Sequence, residues 1–508
     1  MAWYDYVIII IYLLNTLLMF IYGLHYYLIA YLYYRKKKER ILRPEPLLEG
    51  DFPKVTIQLP IFNELYVAER LIRKVMAINY PKDRFEVHVL DDSIDETQDI
   101  CKKLVAEYQK SGYRIEYLHR EDRVDHKAGA LREALAKAEG DYITIFDSDF
   151  LPPEDFLLKT LPHFSNSDIG MVQTRWGHLN QDYSILTKAQ SLAIDSHFVL
   201  EQSTRSDYGL WLNFNGTAGV WRKSCIEDAG NWQGDTLTED LDLSYRAQLR
   251  GWRFIFLQDV VSPAELPVEM TSYKAQQFRW AKGSLQTAIK LIGQVIRSPY
   301  PLRKKLEGII HLTYYSVHPL MLFNLLWTLP LISVQHRFFQ DFSLMGYPVA
   351  TLIGMVFMIL GTSAPSFFLL YTQRELTGSW TKRLRWLPYM FLAGLGIAIH
   401  ITKAFLEAVF RKKSSFIRTP KFDISVTRNG WFRKQYTIPI DFITVLELAA
   451  AVYAMIVTYY AFSYGIPLAA TFPILFAISF SYVGLTAIFQ RFRRKSFMVK
   501  AEKVTTES

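Results

Sequence analysis

The stretch Tyr142-Ile143-Thr144-Ile145-Phe146-Asp147-Ser148-Asp149 decides how this chain folds. Its first five residues are β-branched or aromatic and read as a strand over 142–146. The strand runs straight into two carboxylates spaced two apart. Outward in both directions the same unit recurs. Strands are expected at 55–59, 85–90, 114–118 and 169–174, and helices near 64–77, 95–110, 127–139 and 153–161. Gly140 closes the third helix in the position that a C-terminal cap prefers. Such alternation implies a Rossmann-like α/β domain with a mostly parallel sheet and ligands at the carboxyl ends of the strands.

Polar residues gather at those ends. Pro60-Ile61-Phe62-Asn63-Glu64 follows the first strand, Asp91-Asp92 the second and Asp147-Ser148-Asp149 the fourth. Each suits a turn or a helix cap by itself; three on one edge point to a site. Asp147 and Asp149 are placed to turn toward one cation. Hard oxygen ligands favour Mg²⁺ or Mn²⁺, which use one or two carboxylates and complete their shell with water and phosphate oxygens. Lys127 opens the third helix, where an ammonium and the helix N-terminus can both meet a phosphate; a solvated lysine fits that stretch equally well. Thr238-Glu239-Asp240 begins another helix. Acids there complement the helix dipole, and a carboxylate there can also serve as the general base when a group is transferred to a hydroxyl, which points to Asp240.

Gln276-Gln277-Phe278-Arg279-Trp280 is the hinge of the chain: α/β patterning precedes it and apolar runs follow. Helical spacing puts Gln276, Arg279 and Trp280 on one face. That face offers an amide, a guanidinium fork suited to a diphosphate and an aromatic wall suited to a sugar ring. Arg stacked on Trp as plain packing is the alternative.

The composition agrees with a membrane protein. Half of the 508 residues are apolar, and the net charge of +9 comes from Lys and Arg beside apolar runs, which favours a membrane face over nucleic acid. Cys101 and Cys225, far apart in sequence, argue against a disulfide scaffold. Residues 1–34 read as a transmembrane helix and 35–53 as a basic linker. Residues 54–282 are the soluble domain, 283–305 an interfacial amphipathic helix, and 306–372 two spans. Residues 373–440 hold an interfacial helix and a basic loop, 441–490 two more spans, and 491–508 a basic tail. The segment 386–410 is short for a crossing; as an interfacial or re-entrant helix it keeps the basic stretches on one side. Five crossings follow, with the soluble domain and C-terminus cytosolic.

Taken in order, Asp91-Asp92, Asp147-Ser148-Asp149, Thr238-Glu239-Asp240 and Gln276 to Trp280 resemble the processive membrane glycosyltransferases of family two, the cellulose-synthase-like group. Gln173-Thr174-Arg175-Trp176 with Asn180, Phe214-Asn215-Gly216-Thr217-Ala218-Gly219 and Asp149-Phe150 look most like the mannan and glucomannan synthase-like branch. Phe150 stands where the bacterial cellulose synthases typically carry His. The resemblance implies a glycosyltransferase A-type domain joined to an all-α multi-span region. It implies that Pro60, Asn63, Glu64, Asp91 and Asp92 hold the base and ribose of a nucleotide sugar. Lys127 and Arg279 would meet the diphosphate, Asp147 the nucleotide, and Asp147 with Asp149 the metal. Asp240 would be the base, with Asn215, Gly216, Thr217, Glu239, Gln276 and Trp280 on the acceptor side. Phe416-Ile417-Arg418-Thr419-Pro420-Lys421 looks like the gating loop of that group, with Arg418, Thr419 and Lys421 over the nucleotide; a basic loop on anionic lipid is the plainer reading.

The function expected is an inverting, metal-dependent hexosyltransferase. It would build a β-glycan from UDP-glucose or GDP-mannose and pass the chain through a plasma or inner membrane, or a Golgi membrane in a eukaryote. A glycolipid synthase acting on a lipid acceptor and a non-catalytic transporter or scaffold remain open. The partners expected are the nucleotide sugar, the glycan or lipid acceptor and the bilayer, with no nucleic acid.

Overall fold

A computed structural model describes residues 3–37, 52–338, 343–344, 347–414, 417–424, 431 and 436–506. Most of the expected basic linker, and Phe416 of the expected gating loop, lie outside the described residues.

The sheet has seven strands in the order β3-β2-β1-β4-β6-β5-β7. β1 (Val55–Ile61), β2 (Phe85–Asp91), β3 (Ile115–His119) and β4 (Tyr142–Ile145) form its parallel half. β5 (Ile169–His178) pairs in parallel with β7 (Arg253–Ala264), and the four-residue β6 (Gly219–Arg222) lies antiparallel between β4 and β5. The five expected strands form at their expected places, β5 running on to His178. β6 and β7 extend the sheet beyond expectation. β6 is too short to show periodicity, and β7 carries Pro263, which only an edge strand accommodates easily. β1 and β2 are buried on both faces, although Thr56 and Gln58 in β1 and Glu86 and His88 in β2 alternate with their apolar residues. Leu71, Ile72 and Phe156 pack on one side with Ile57 and Val87; Leu131, Leu135 and Trp221 pack on the other with Ile143 and Ile145.

In chain order, α1 (Trp3–Lys36) precedes the sheet, and α2 (Ala68–Met76), α3 (Thr97–Lys110), α4 (His126–Lys137) and α5 (Phe156–Thr160) flank it. α6 (Ile185–Ser196), α7 (Ser203–Asp207), α8 (Lys223–Asp228) and α9 (Glu239–Leu249) complete the domain. Gly140 does not cap α4. The helix ends at Ala138 in extended conformation, and Gly140 instead lies against β1, where a Cβ would run into the Thr56 backbone.

The expected boundary between residues 282 and 283 falls inside one helix. α10 (Met270–Arg297) is one 28-residue helix that carries both the pentad and the amphipathic segment. Gly283 is there for close approach, since a Cβ would stand 2.5 Å from Thr238 Cγ2. Beyond α10 come α11 (Leu302–Thr313), α12 (Val317–Phe338), α13 (Val349–Thr377), α14 (Leu387–Gly396), α15 (Ala398–Val409), α16 (Ile443–Ser463) and α17 (Thr471–Thr506). Among the described residues five helices are long and apolar enough to cross a membrane: Trp3–Lys36, Leu302–Val334, Leu352–Thr377, Ile443–Ser463 and Pro467–Ser496. Leu384–Gly396 and Ala398–Val409 form a pair bent by 41°, a broken span or a re-entrant element.

Candidate active site

A cavity lies at the carboxyl ends of β1, β2 and β4. It is bounded by the loops after these strands, by the start of α9, by Gln276, Arg279 and Trp280 of α10, and by a strap that includes Arg418, Thr419 and Lys421.

The turn from Asn215 to Ala218 joins its parts. Gly216 and Ala218 adopt left-handed backbone with φ of 84° and 54°. Thr217 Oγ1 accepts a hydrogen bond from the Asp147 amide (2.9 Å) and the Gly216 carbonyl accepts one from Lys127 Nζ (2.9 Å). Lys127 also binds Asp147 Oδ1 at 2.5 Å. A Cβ at Gly216 would stand 2.9 Å from Asp240 Oδ2 and 3.6 Å from Lys127 Nζ, so the bare glycine lets the acid and the ammonium flank one turn. Burial, then the neighbouring Glu239, push the Asp240 carboxyl up to about 7 against the pull of Lys127. Burial works against the charge of Lys127, but Asp147 and then Glu239 hold it above the usual lysine range.

Asp149 is 4 % exposed. Its Oδ2 accepts from the Glu265 amide (3.0 Å) and from Lys421 Nζ (2.6 Å), and Lys421 also donates to the Glu265 carbonyl (2.8 Å). The Glu265 carboxylate receives the amides of Phe422 (2.9 Å) and Ile424 (3.4 Å). At the other end of the strap Arg418 pairs with Glu64 (2.7 Å) and donates to the Asn63 carbonyl. Burial pushes the Glu64 carboxyl up to about 7, with Arg418 opposing. The strap is thus pinned across the cavity at two points.

Most residues singled out in the sequence line this cavity: Pro60, Glu64, Asp92, Lys127, Asp147, Asp149, Asn215, Gly216, Glu239, Asp240, Gln276, Arg279, Trp280, Arg418, Thr419 and Lys421. Three do not. Asp91 is fully buried, its carboxylate taken by the Ser93 amide and the Tyr117 hydroxyl. Asn63, with φ of 53°, receives the Ile94 amide on its side chain and donates its own amide to Ser93 Oγ. Thr217 holds Asp147 from below. These three are frame rather than lining. Asp92 faces the cavity but is held by Arg120 through two bonds of 2.9 and 2.5 Å.

The sequence reading missed Arg123, His178 and Glu265 and gave no site role to Trp176, all of which line the cavity. The Arg123 guanidinium sits 3.2 Å from the centre of the Phe62 ring. Glu265 follows directly on β7, and drawing that strand would have put it at the same edge as Asp149. The Thr238–Asp240 segment is braced from α10: the Leu237 amide donates to Gln286 Oε1 (3.0 Å), and Gly283 lies against Thr238.

Among the described residues no group of three or more His, Cys, Asp or Glu side chains is set to hold a metal. The donor set nevertheless suits a hard divalent ion that retains water and phosphate ligands. Asp147 and Asp149 are both carboxylates at one strand end, and each already attracts a cation, Lys127 at one and Lys421 at the other.

Residues 53–283 match the family described as glycosyltransferase like family 2. Glucomannan 4-beta-mannosyltransferase 1 of Oryza sativa subsp. japonica is 39 % identical over 276 residues, covering 52 % of this chain and 53 % of that protein. Glucomannan 4-beta-mannosyltransferase 2 of Arabidopsis thaliana is 39 % identical over 269 residues, covering 52 % and 50 %. The chain thus spans about half the length of these relatives. A mannosyltransferase from Pyrobaculum calidifontis, solved with GDP-Man and Mn²⁺, superposes with a TM-score of 0.52 at 20 % identity, over 80 % of this chain and all of that one, and so shares the fold. Residues 53–283, a little under half of the chain, thus resemble the family 2 glycosyltransferases.

Proposed function

We propose that the chain is an inverting hexosyltransferase that adds mannosyl units from a nucleoside-diphosphate sugar, GDP-mannose in the first place, to a growing β-glycan at the cytosolic face of a membrane. The observation that carries this reading is the flanking of Gly216 by Asp240 and Lys127, with Arg279 and Trp280 lining the same cavity. The mannosyl assignment follows the two plant relatives.

The acceptor hydroxyl attacks the anomeric carbon of the donor while Asp240 takes its proton, and the bond to the nucleoside diphosphate breaks on the opposite face. One base and one displacement invert the anomeric centre. Lys127 and Arg279 face the negative charge that develops on the leaving diphosphate, and Trp280 offers its ring to the acceptor sugar. A divalent ion held by Asp147 and Asp149 would neutralise part of that diphosphate charge. Asn63, Asp91 and Thr217 position the loops that make these contacts. Arg418, Thr419 and Lys421 close the donor side against water.

Asp240→Asn tests the reading. Nucleoside diphosphate release should fall by about 10²–10⁴-fold, with donor affinity within a factor of about two of the parent in a binding titration. Unchanged turnover would remove Asp240 as the base.

A further inference from the structure

α10 presents Gln276, Arg279 and Trp280 to the cavity. On a helix, residues 274, 278 and 282 follow one another as i, i+4 and i+8 on a stripe about half a turn away. That opposite stripe carries two buried ammonium groups. Lys274, 3 % exposed, donates to both carboxylate oxygens of Glu447 on α16 (3.0 and 2.8 Å) and to Thr444 Oγ1 (3.1 Å). Lys282, 1 % exposed, donates to Glu407 Oε2 on α15 (2.8 Å), to the Lys412 carbonyl (2.7 Å) and to Ser414 Oγ (2.7 Å). Each ammonium has three protons and meets three acceptors. Between them the Phe278 ring packs edge-on against His400 of α15, with centroids 5.3 Å apart.

Two buried ion pairs do not need to exist for stability, because apolar side chains of similar size fill such positions as well or better. Their better-attested use is to fix one register among several. Here they sit about 12 Å apart along one helix. A turn or a slide of α10 would have to break both at once. Lys282 also reaches residues 412 and 414, the root of the strap whose Arg418 and Lys421 lie over the cavity, so one side chain indexes both walls of the site.

We propose that Lys274 and Lys282 are positioning residues for glycosyl transfer, setting the rotation and height of α10 against the membrane helices so that Arg279 and Trp280 meet diphosphate and acceptor. The proposal rests on the function given above. The doubly neutral variants Lys274→Met with Glu447→Leu, and Lys282→Met with Glu407→Leu, remove each pair without leaving a lone buried charge. The expected result is a melting temperature at or above that of the parent, a donor KM within about twofold, and a kcat at least tenfold lower, with a larger share of donor lost to water. Lys282→Arg keeps the charge but moves its head, and should lower kcat less than the double variant does. Parental kcat in both double variants, or in Lys282→Arg if a double variant fails to fold, overturns the proposal.

A readout without turnover separates this from the functional reading. In a Trp280→Cys background the thiol labelling rate reports the register of α10, and native Cys101 and Cys225 are both buried. A changed rate in the double variants supports the proposal even if no donor is turned over, and an unchanged rate rejects it even if the enzyme is active.

Discussion

Asp240, the proposed base, carries a charge that is costly where it stands. Its carboxyl is raised to about 7 by burial and by Glu239, and Lys127 draws it back down. The folded-state value lies above the ordinary aspartate range, so protons bind the folded protein more tightly between about pH 4 and pH 7. Stability contributed by this group is therefore present at low pH and lost as pH rises through 7, while its capacity to accept the acceptor's proton grows over the same interval. In the parent, kcat/KM should rise with pH along a limb centred near 7. Lys127→Met should move that limb upward and lower the rate at pH 7 by about 10²-fold; a limb that stays in place would show that Lys127 does not act on Asp240. The residue types at the strand ends were legible because the α/β pattern says which loops share an edge. Which side chain in a loop faces inward was not. Asp91 and Asp92 are adjacent and alike, yet Asp91 is spent on Ser93 and Tyr117 while Asp92 faces the cavity. Nothing in one-dimensional patterning separates them.

Among the elements, α10 and the strap differ most from what patterning suggests. An interfacial helix is expected to begin at residue 283, but the helix runs straight through, and Gly283 lies against Thr238 rather than ending it. The strap meets Asp149 across 272 positions of sequence, and Glu265 joins the two through its amide and its carboxylate. Contacts at that separation leave no local signature, and Glu265 went unseen because β7, which it follows, was not drawn. Lys421→Met frees Asp149 Oδ2 of its ammonium and leaves a buried carboxylate with the Glu265 amide alone. Its melting temperature without divalent cation should fall, since an uncompensated buried charge of this kind costs about 3–5 kcal/mol. Added Mn²⁺ should raise it by more than in the parent, because ligand that binds only the folded state stabilises it. An equal Mn²⁺ response in parent and variant would show that Asp149 is not a cation ligand.

At the scale of the whole molecule, a seven-stranded sheet carries the chemistry on one edge and a set of long apolar helices stands against it. Strand-helix alternation announced one half and composition the other, and the strand order followed from neither, because an antiparallel β6 between β4 and β5 breaks the simple alternation. α10 joins the halves: its amide end bonds to Gln490 of α17, its lysines to α15 and α16, and its other face lines the cavity. This arrangement puts the cavity next to helices long enough to cross a bilayer, as the proposed extension of a glycan at a membrane would require. The most direct test is incubation of the purified chain in lipid nanodiscs with labelled GDP-mannose, UDP-glucose and related donors, followed by lipid extraction. The expected result is label from GDP-mannose in a polymer that stays behind after extraction and is released by a β-mannanase. Label confined to the lipid phase, or no incorporation from any nucleotide sugar, would contradict it.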